Sequence, residues 1–241
     1  MADYVGIAET MPSADLPVFM SEYYETQGQA IGTIGGTIAL HIGDNILSVW
    51  DQPDSAQLAC ESAIAQCGAL TTFGEWAKSR GYPSPAIRIG INTGVMNIQW
   101  GPKKGGVGVL GDAVNFAARL DQLNREYGTQ ILMSGATREG LSTSLTVRPV
   151  DVVRIKGLAH GIGLFELVGR TTEIDSDQRS FLATFDTGLI SYKAADFSNA
   201  LSAFERAQEQ NPSDVLTGIY VSRCHALMKM PTEELSAQHE R

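Results

Sequence analysis

Over its first 170 residues the chain switches its apolar period repeatedly between about 3.6 and about 2, and afterwards it never returns to the shorter one. Phe19, Tyr23, Gln27, Ala30 and Ile34 mark one face of a helix predicted over 13–33, with Ser13 as its cap and Pro17 in the first turn, where proline is tolerated. Gly35-Gly36 ends it. Segments 37–42 and 45–50 read as short strands around Gly43-Asp44, a hairpin with an acid at its tip. Residues 55–80 place Leu58, Ala63, Cys67, Leu70, Phe73 and Ala77 at helical spacing, until Gly81-Tyr82-Pro83 stops them. Strands are predicted at 86–92, 95–100, 129–134, 147–155 and 164–167, helices at 113–125 and 136–142, and a Gly-rich loop with Lys103 and Lys104 at 101–106. Alternation of this kind belongs to α/β or α+β architectures.

Beyond a polar stretch near Gly169–Asp177 the pattern is helical throughout. Gly188, Ala200, Phe204, Ala207 and Pro212 fall at spacings close to those of a tetratricopeptide unit, with Ala195-Asp196-Phe197 at the turn and a further helix over 214–230. One such unit cannot bury its own apolar face, so it is expected to pack on the first domain or on a partner protein. A helical hairpin without a binding role has the same pattern.

Several function classes are excluded early. A net charge of −9 is the wrong sign for a broad nucleic-acid footprint, so no nucleic-acid partner is expected. No apolar run reaches the roughly 18 residues of a membrane span, and no basic-then-apolar leader opens the chain. Cys60, Cys67 and Cys224 form no CxxC pair and no His/Cys cluster, so they are read as small buried hydrophobes rather than zinc ligands. A reducing cytoplasm suits them. The expected location is the cytoplasm, alone or as the cytoplasmic part of a longer membrane-anchored sensor.

Four short segments carry possible chemistry. Asp44 at the hairpin tip is either a turn aspartate bonded to its own backbone or a ligand. Asp3-Tyr4-Val5-Gly6 precedes a helix; Gly6 would let backbone approach a phosphate closely, while the plain alternative is an unstructured N-terminal acid. In Val107-Gly-Val-Leu-Gly-Asp-Ala-Val-Asn-Phe-Ala-Ala-Arg-Leu120 a strand runs into a helix, and Asn115 and Arg119, four apart, share one helix face. An amide beside a guanidinium suits charge developing on a sugar and a phosphate, or forms a plain surface pair. Lys156 in Arg154-Ile-Lys-Gly157 sets a cation at a strand end.

Taken in order, these segments resemble the class III nucleotidyl cyclases, over the span from Asp3 to Leu167. Asp3-Tyr-Val-Gly6 is similar to the family's first metal segment, and Gly35-Gly-Thr37 through Ile42-Gly-Asp44 to the hairpin bearing the second metal aspartate. Arg88-Ile-Gly-Ile-Asn-Thr-Gly94, Leu110-Gly-Asp-Ala-Val-Asn-Phe-Ala-Ala-Arg119, Tyr127-Gly-Thr129 and Lys156-Gly157 complete the series. The resemblance implies an α+β fold: a ferredoxin-like βαββαβ cyclase core with extra strands in 1–170, then a small all-helical tail in 171–241. It also implies the reaction, ATP (or GTP) to the cyclic monophosphate and pyrophosphate. Asp3, Asp44 and the backbone carbonyl of Tyr4 would hold two magnesium or manganese ions, Asn115 would orient the ribose, Arg119 would stabilise the α-phosphate, and Lys156 would bind the terminal phosphates. Gly6 and the two base-reading positions, Leu40 and Gly108, would complete the nucleotide site. The family pairs head to tail, with metal aspartates of one protomer facing Asn and Arg of the other.

Three departures from that pattern carry expectations. Leu40 and Gly108 offer no side-chain hydrogen bond where the family reads its purine. A net hydrogen bond is commonly worth about 0.5–1.5 kcal/mol, so discrimination between adenine and guanine should be weak. Ile7 and Ala8 replace the usual Phe and Ser/Thr. Only Met1-Ala2 stand where the family's first strand precedes Asp3, which makes this strand truncated and poor activity the expectation for the 241 residues as written. A catalytically degenerate, dimerising or nucleotide-binding regulatory domain is the competing reading, and a tail that serves as a protein-interaction module is the third.

Overall fold

The computed structural model describes residues 1–2, 4–100, 107–154 and 161–230. Two helices come first, α1 (Tyr4–Thr10) and α2 (Leu16–Thr33), then the hairpin β1 (Thr37–Ile42) and β2 (Asn45–Val49), and the long α3 (Ser55–Ser79). Next follow β3 (Ile89–Ile91), β4 (Asn97–Trp100), β5 (Val107–Leu110), α4 (Asp112–Tyr127), β6 (Ile131–Ser134), α5 (Gly135–Glu139), β7 (Leu145–Val153) and β8 (Ile162–Arg170). The tail is α6 (Ser176–Lys193), α7 (Phe197–Gln210) and α8 (Val215–Met228). The fold is α+β, with a mixed sheet followed by three helices.

That sheet has the order β3-β6-β8-β7, with β3 and β6 parallel and the other pairs antiparallel. It is covered on both sides, and its strands show why. In β6, Leu132 packs into one apolar cluster while Ile131 and Met133 pack into another, since successive residues of a strand face opposite ways. A strand buried on both faces must be apolar throughout, and Ile131-Leu-Met133 is. Cys60 and Ala63 of α3 cover the Ile131 and Met133 side. Residues Phe116, Leu120, Leu123 and Tyr127 of α4 cover the Leu132 side. Beyond α3, an aromatic cluster of Phe19, Tyr23, Phe73 and Trp76 holds α2 against it.

Hairpins β1-β2 and β4-β5 stand apart from this sheet as two-stranded pairs, with β1 lying against β5. The turn of the first is Gly43-Asp44, with Gly43 at φ +58°, as primed hairpin turns require at that place.

Several sequence expectations need adjusting. Ser13 does not cap α2: residues 13–15 form a turn closed by the Asp15 N–H on the Pro12 carbonyl at 2.9 Å, so the helix starts at Leu16 with Asp15 at its N-cap, which makes no side-chain cap bond. The strand predicted over 86–92 narrows to Ile89–Ile91, with Ala86 in an isolated bridge to Ala2. The helix predicted over 136–142 is the short α5. Tyr4 and Gly6 lie inside α1 rather than ahead of it.

The tail shares its core with the sheet. Phe181, Phe185, Leu189, Phe204, Leu216 and Tyr220 belong to the same cluster as Leu120, Leu132, Val150 and Leu164. Each tail helix starts at an aspartate whose carboxylate accepts a backbone N–H three residues on: Asp175 from Gln178, Asp196 from Asn199 and Asp214 from Thr217. At the α6–α7 crossing a Cβ on Gly188 would lie 2.8 Å from the Phe204 ring, so the two helices meet at a residue without a side chain. No described helix is long and apolar enough to cross a membrane.

Candidate active site

Helix α4 is buried along one face and bare along the other. Phe116, Leu120, Leu123 and Tyr127 point into the core, and Asn115 and Arg119 are exposed one turn apart. Strand β3 fixes this orientation in three ways. Gly90 lets the helix backbone come close: a Cβ there would lie 2.2 Å from the Ala117 carbonyl oxygen and 2.4 Å from the Asp121 nitrogen. The Asn92 amide donates to the Ala113 carbonyl at 3.0 Å. Buried Asn124 donates to the Ile89 carbonyl at 3.0 Å and accepts from the Thr129 hydroxyl at 2.7 Å. The segment Arg88–Gly94 therefore has a mechanical task, to seat the helix that carries Asn115 and Arg119.

A cleft of about 460 Å³ opens between β2, β3 and the flank of α4. Asp44 and Asn115 both line it, with Arg88, Asp121 and Gln122. The outer edges of β2 and β3 border it, and neither pairs with another strand among the described residues. Asp44 is half-buried, and its carboxylate takes the α-amino group of Met1 at 2.7 Å. The turn that bears it is latched to α2 by the Tyr24 hydroxyl, which donates to the Gly43 carbonyl, and by the Tyr24 ring, 4.5 Å from that of His41. Tyr24→Phe should free this turn at a cost of about 1 kcal/mol. A thermal melt of the variant checks this effect.

Of the expected site residues, the structure brings Asp44 and Asn115 to one cleft. Arg119 is one turn from Asn115 but does not line it. Leu40 is exposed on β1 and Gly108 on β5, strands that touch; Gln99, paired with Gly108 across the β4–β5 hairpin, brings its amide oxygen to 3.9 Å from where a Gly108 Cβ would stand. Tyr4 and Gly6 are the first and third residues of α1. Asp3 and Lys156 lie outside the described residues, as do Lys103 and Lys104. Among the described residues no group of three acidic, His or Cys side chains gathers as a metal site.

Two cleft residues escaped the sequence reading, Asp121 and Arg88. Burial raises the Asp121 carboxyl above its ordinary range; the Met1 amine and Arg88 pull it down, and Asp44 pushes it up. A signal was there: Val114, Ala117 and Asp121 follow helical spacing, so a carboxylate sits on a line of otherwise apolar positions.

The adenylate and guanylate cyclase catalytic domain family matches residues 20–169. Adenylate cyclase 1 of Rhizobium meliloti is 28% identical over 188 residues, covering 73% of this chain and 27% of the relative. The terminal-differentiation specific adenylate cyclase of Dictyostelium discoideum is 29% identical over 233 residues, covering 92% of this chain and 11% of the relative, so that similarity runs on into the helical tail. The chain thus spans a third or less of these much longer proteins. Among solved structures, the guanylyl cyclase Cya2 superposes with a TM-score of 0.62 at 23% identity, over 73% of this chain and 91% of that one. With the family match covering most of the chain and the fold agreeing, this protein belongs to the adenylate and guanylate cyclase catalytic domain family.

Proposed function

We propose that this domain is a purine nucleotide cyclase that converts ATP to cyclic AMP and pyrophosphate. The observation that carries the reading is the bare face of α4, where Asn115 and Arg119 stand exposed one turn apart, placed to meet the Asp44 hairpin of a second copy. The ribose 3′-hydroxyl gives its proton to solvent water and attacks the α-phosphorus in line, and the bond from that phosphorus to the bridging oxygen of pyrophosphate breaks. Asn115 holds the ribose and Arg119 meets the charge that grows on the α-phosphate, an interaction strongest in the transition state. Lys156 binds the terminal phosphates. Adenine is favoured because the two curated relatives named above are adenylate cyclases, while Leu40 and Gly108 supply no purine-specific contact.

The donor chemistry fits two magnesium or manganese ions. Asp44 offers one such ligand, a half-buried carboxylate at the hairpin tip on the border of the cleft. Asp44 and Asp3 would hold the ions, joined by the Tyr4 carbonyl, as oxygen ligands suit such hard cations. When bound, the ions supply Lewis-acid stabilisation of the attacking and leaving oxygens.

A second copy, head to tail, completes this reading. Leu40, Ile42 and Leu110 are 48%, 62% and 64% exposed on the adjoining strands β1 and β5, an apolar surface that favours a protein neighbour. The tail's inner faces are committed to the core, which counts against a free protein-interaction module. A regulatory, non-catalytic cyclase domain is the second reading, favoured by the apolar base-reading positions.

The deciding experiment incubates purified protein with ATP or GTP and manganese and looks for the cyclic product by chromatography. Cyclic AMP supports the proposal, and no product from either nucleotide sinks it. If sites are shared between protomers, Asp44→Ala and Asn115→Ala, each inactive alone, should recover part of the activity when mixed. Absence of rescue at high concentration argues against shared sites.

A further inference from the structure

Helix α8 reaches both elements on which the proposed chemistry depends, and it does so at a single carboxylate. Arg223 donates to Asp151 Oδ2 at 2.7 Å, and the Tyr127 hydroxyl donates to the same oxygen at 2.7 Å. Asp151 Oδ1 accepts the Val152 N–H at 2.8 Å. One turn before Arg223, the Tyr220 hydroxyl donates to the Val150 carbonyl at 2.8 Å, and the Arg223 guanidinium lies 5.1 Å from the Tyr220 ring centre. Tyr127 is the last residue of α4, the helix of Asn115 and Arg119. Asp151 belongs to β7, which ends at Val153, three positions before Lys156 in the sequence. Arg223 is thus where the tail, the catalytic helix and the strand leading to the phosphate-binding lysine are joined.

The Arg223–Asp151 contact is separate from what docks the tail. Docking is supplied by the shared apolar core and, at the first turn of α8, by Arg148 of β7 bonded to Asp214. Arg223 sits more than two turns further along α8, half-exposed, and adds little apolar burial. Burial raises the Asp151 carboxyl, but the bonds from Arg223, Tyr127 and Val152 more than offset it and hold the group below its usual range, so the acceptor is a carboxylate at neutral pH.

We propose that Arg223 is a positioning residue for the cyclase site, and that α8 is a working part of the catalytic unit, setting α4 against β7 through Asp151. The proposal rests on the cyclase reading. It requires that α4 and the end of β7 be held in one arrangement when Asn115 and Arg119 meet the transition state, and a displacement on the order of 1 Å can cost up to about a hundredfold in rate.

The test uses the full chain with Arg223→Ala, Arg223→Lys and Tyr127→Phe. Arg223→Ala should lower kcat by about tenfold or more while KM for ATP stays within about twofold, since the loss falls on the transition state. Arg223→Lys should restore part of it, and Tyr127→Phe should give a smaller loss of the same kind. Amide hydrogen exchange supplies a readout that does not need activity: Arg223→Ala should speed exchange in 120–128 and 150–154 and leave 197–210 unchanged. Wild-type kcat with unchanged exchange in those segments overturns the proposal, as does loss of protection spread evenly over the tail, which would mean that Arg223 only holds α8 down. An inactive wild-type protein sinks the cyclase reading by itself, and the exchange pattern then still decides whether α8 couples α4 to β7.

Discussion

Arg148→Ala should lower the unfolding free energy by about 3–5 kcal/mol, because it leaves two buried carboxylates without their cation. The side chain is only 5% exposed. Its Nε and Nη2 donate to Glu166 Oε2 at 2.9 and 2.6 Å, and Nη1 and Nη2 donate to the two oxygens of Asp214 at 3.0 and 2.9 Å. The guanidinium also lies 4.9 Å from the Phe185 ring centre. One side chain of β7 therefore ties β8 to the N-cap of α8. Asp214→Asn should be milder, since Asn also caps helices and removes one of the competing charges. Urea unfolding followed by far-ultraviolet circular dichroism measures both variants. Arg148→Ala as stable as wild type would mean that the apolar core alone holds the tail.

Acid should act on the same contacts in a definite order. Burial outweighs Arg148 at Glu166 and raises its carboxyl, so this group takes up a proton first as the pH falls, and that uptake by itself favours the folded state. At Asp214 burial also pushes upward, but the bonds from Arg148 and Thr217 prevail and the carboxyl lies below its ordinary value. A depressed carboxyl adds stability that is complete above the unfolded value of about 4 and is lost as the pH falls through the lower folded value. Asp151 works in the same direction. Unfolding of the tail should therefore set in below about pH 4, and Arg148→Ala should remove the Asp214 part of that dependence.

How much of this was legible from residues alone depended on the range of each signal. The Gly43-Asp44 turn is written in two adjacent residues and came through, and the helix expected over 113–125 is α4, Asp112–Tyr127. The start of α2 did not come through, because the turn of 13–15 competes with the cap expected at Ser13. Nothing local in Arg148, Glu166 or Asp214 marks them as partners, since they are separated by 18 and 66 residues and each reads as an ordinary surface charge. The same holds for Tyr127, Asp151 and Arg223. The tail was expected to need a partner surface, and the surface it uses, with α4 and β7, became visible only in three dimensions. Asn115 and Arg119 were singled out by their spacing together with the family resemblance, whereas Asp121 was passed over because a carboxylate on an apolar helix face looks like an exception until the cleft beside it is seen.

Gly90→Ala should be the most damaging of the small substitutions. A methyl group at 2.2 Å from the Ala117 oxygen and 2.4 Å from the Asp121 nitrogen meets backbone, which cannot rotate away as a side chain can. Either α4 lifts from β3 or the strand bends; overpacking typically costs about 1–3 kcal/mol, and a clash with backbone belongs at the upper end of that range. Lifting α4 would also strain the bonds of Asn92 to Ala113 and of Asn124 to Ile89, which lie on either side of the contact. The face with Asn115 and Arg119 would move with the helix, so the proposed cyclase activity should fall further than the loss of folded protein explains. Gly68→Ala is the matched control. Gly68 lies within α3 with nothing within 4 Å of its missing Cβ, so the same methyl group should stabilise the helix by up to about 1 kcal/mol. Opposite signs for the two variants in chemical unfolding, with activity lost only in Gly90→Ala, would establish that the close seat of α4 on β3 is required for the site. Equal, small effects would mean that α4 can move off β3 freely, and the account of how Asn115 and Arg119 are held would have to be abandoned.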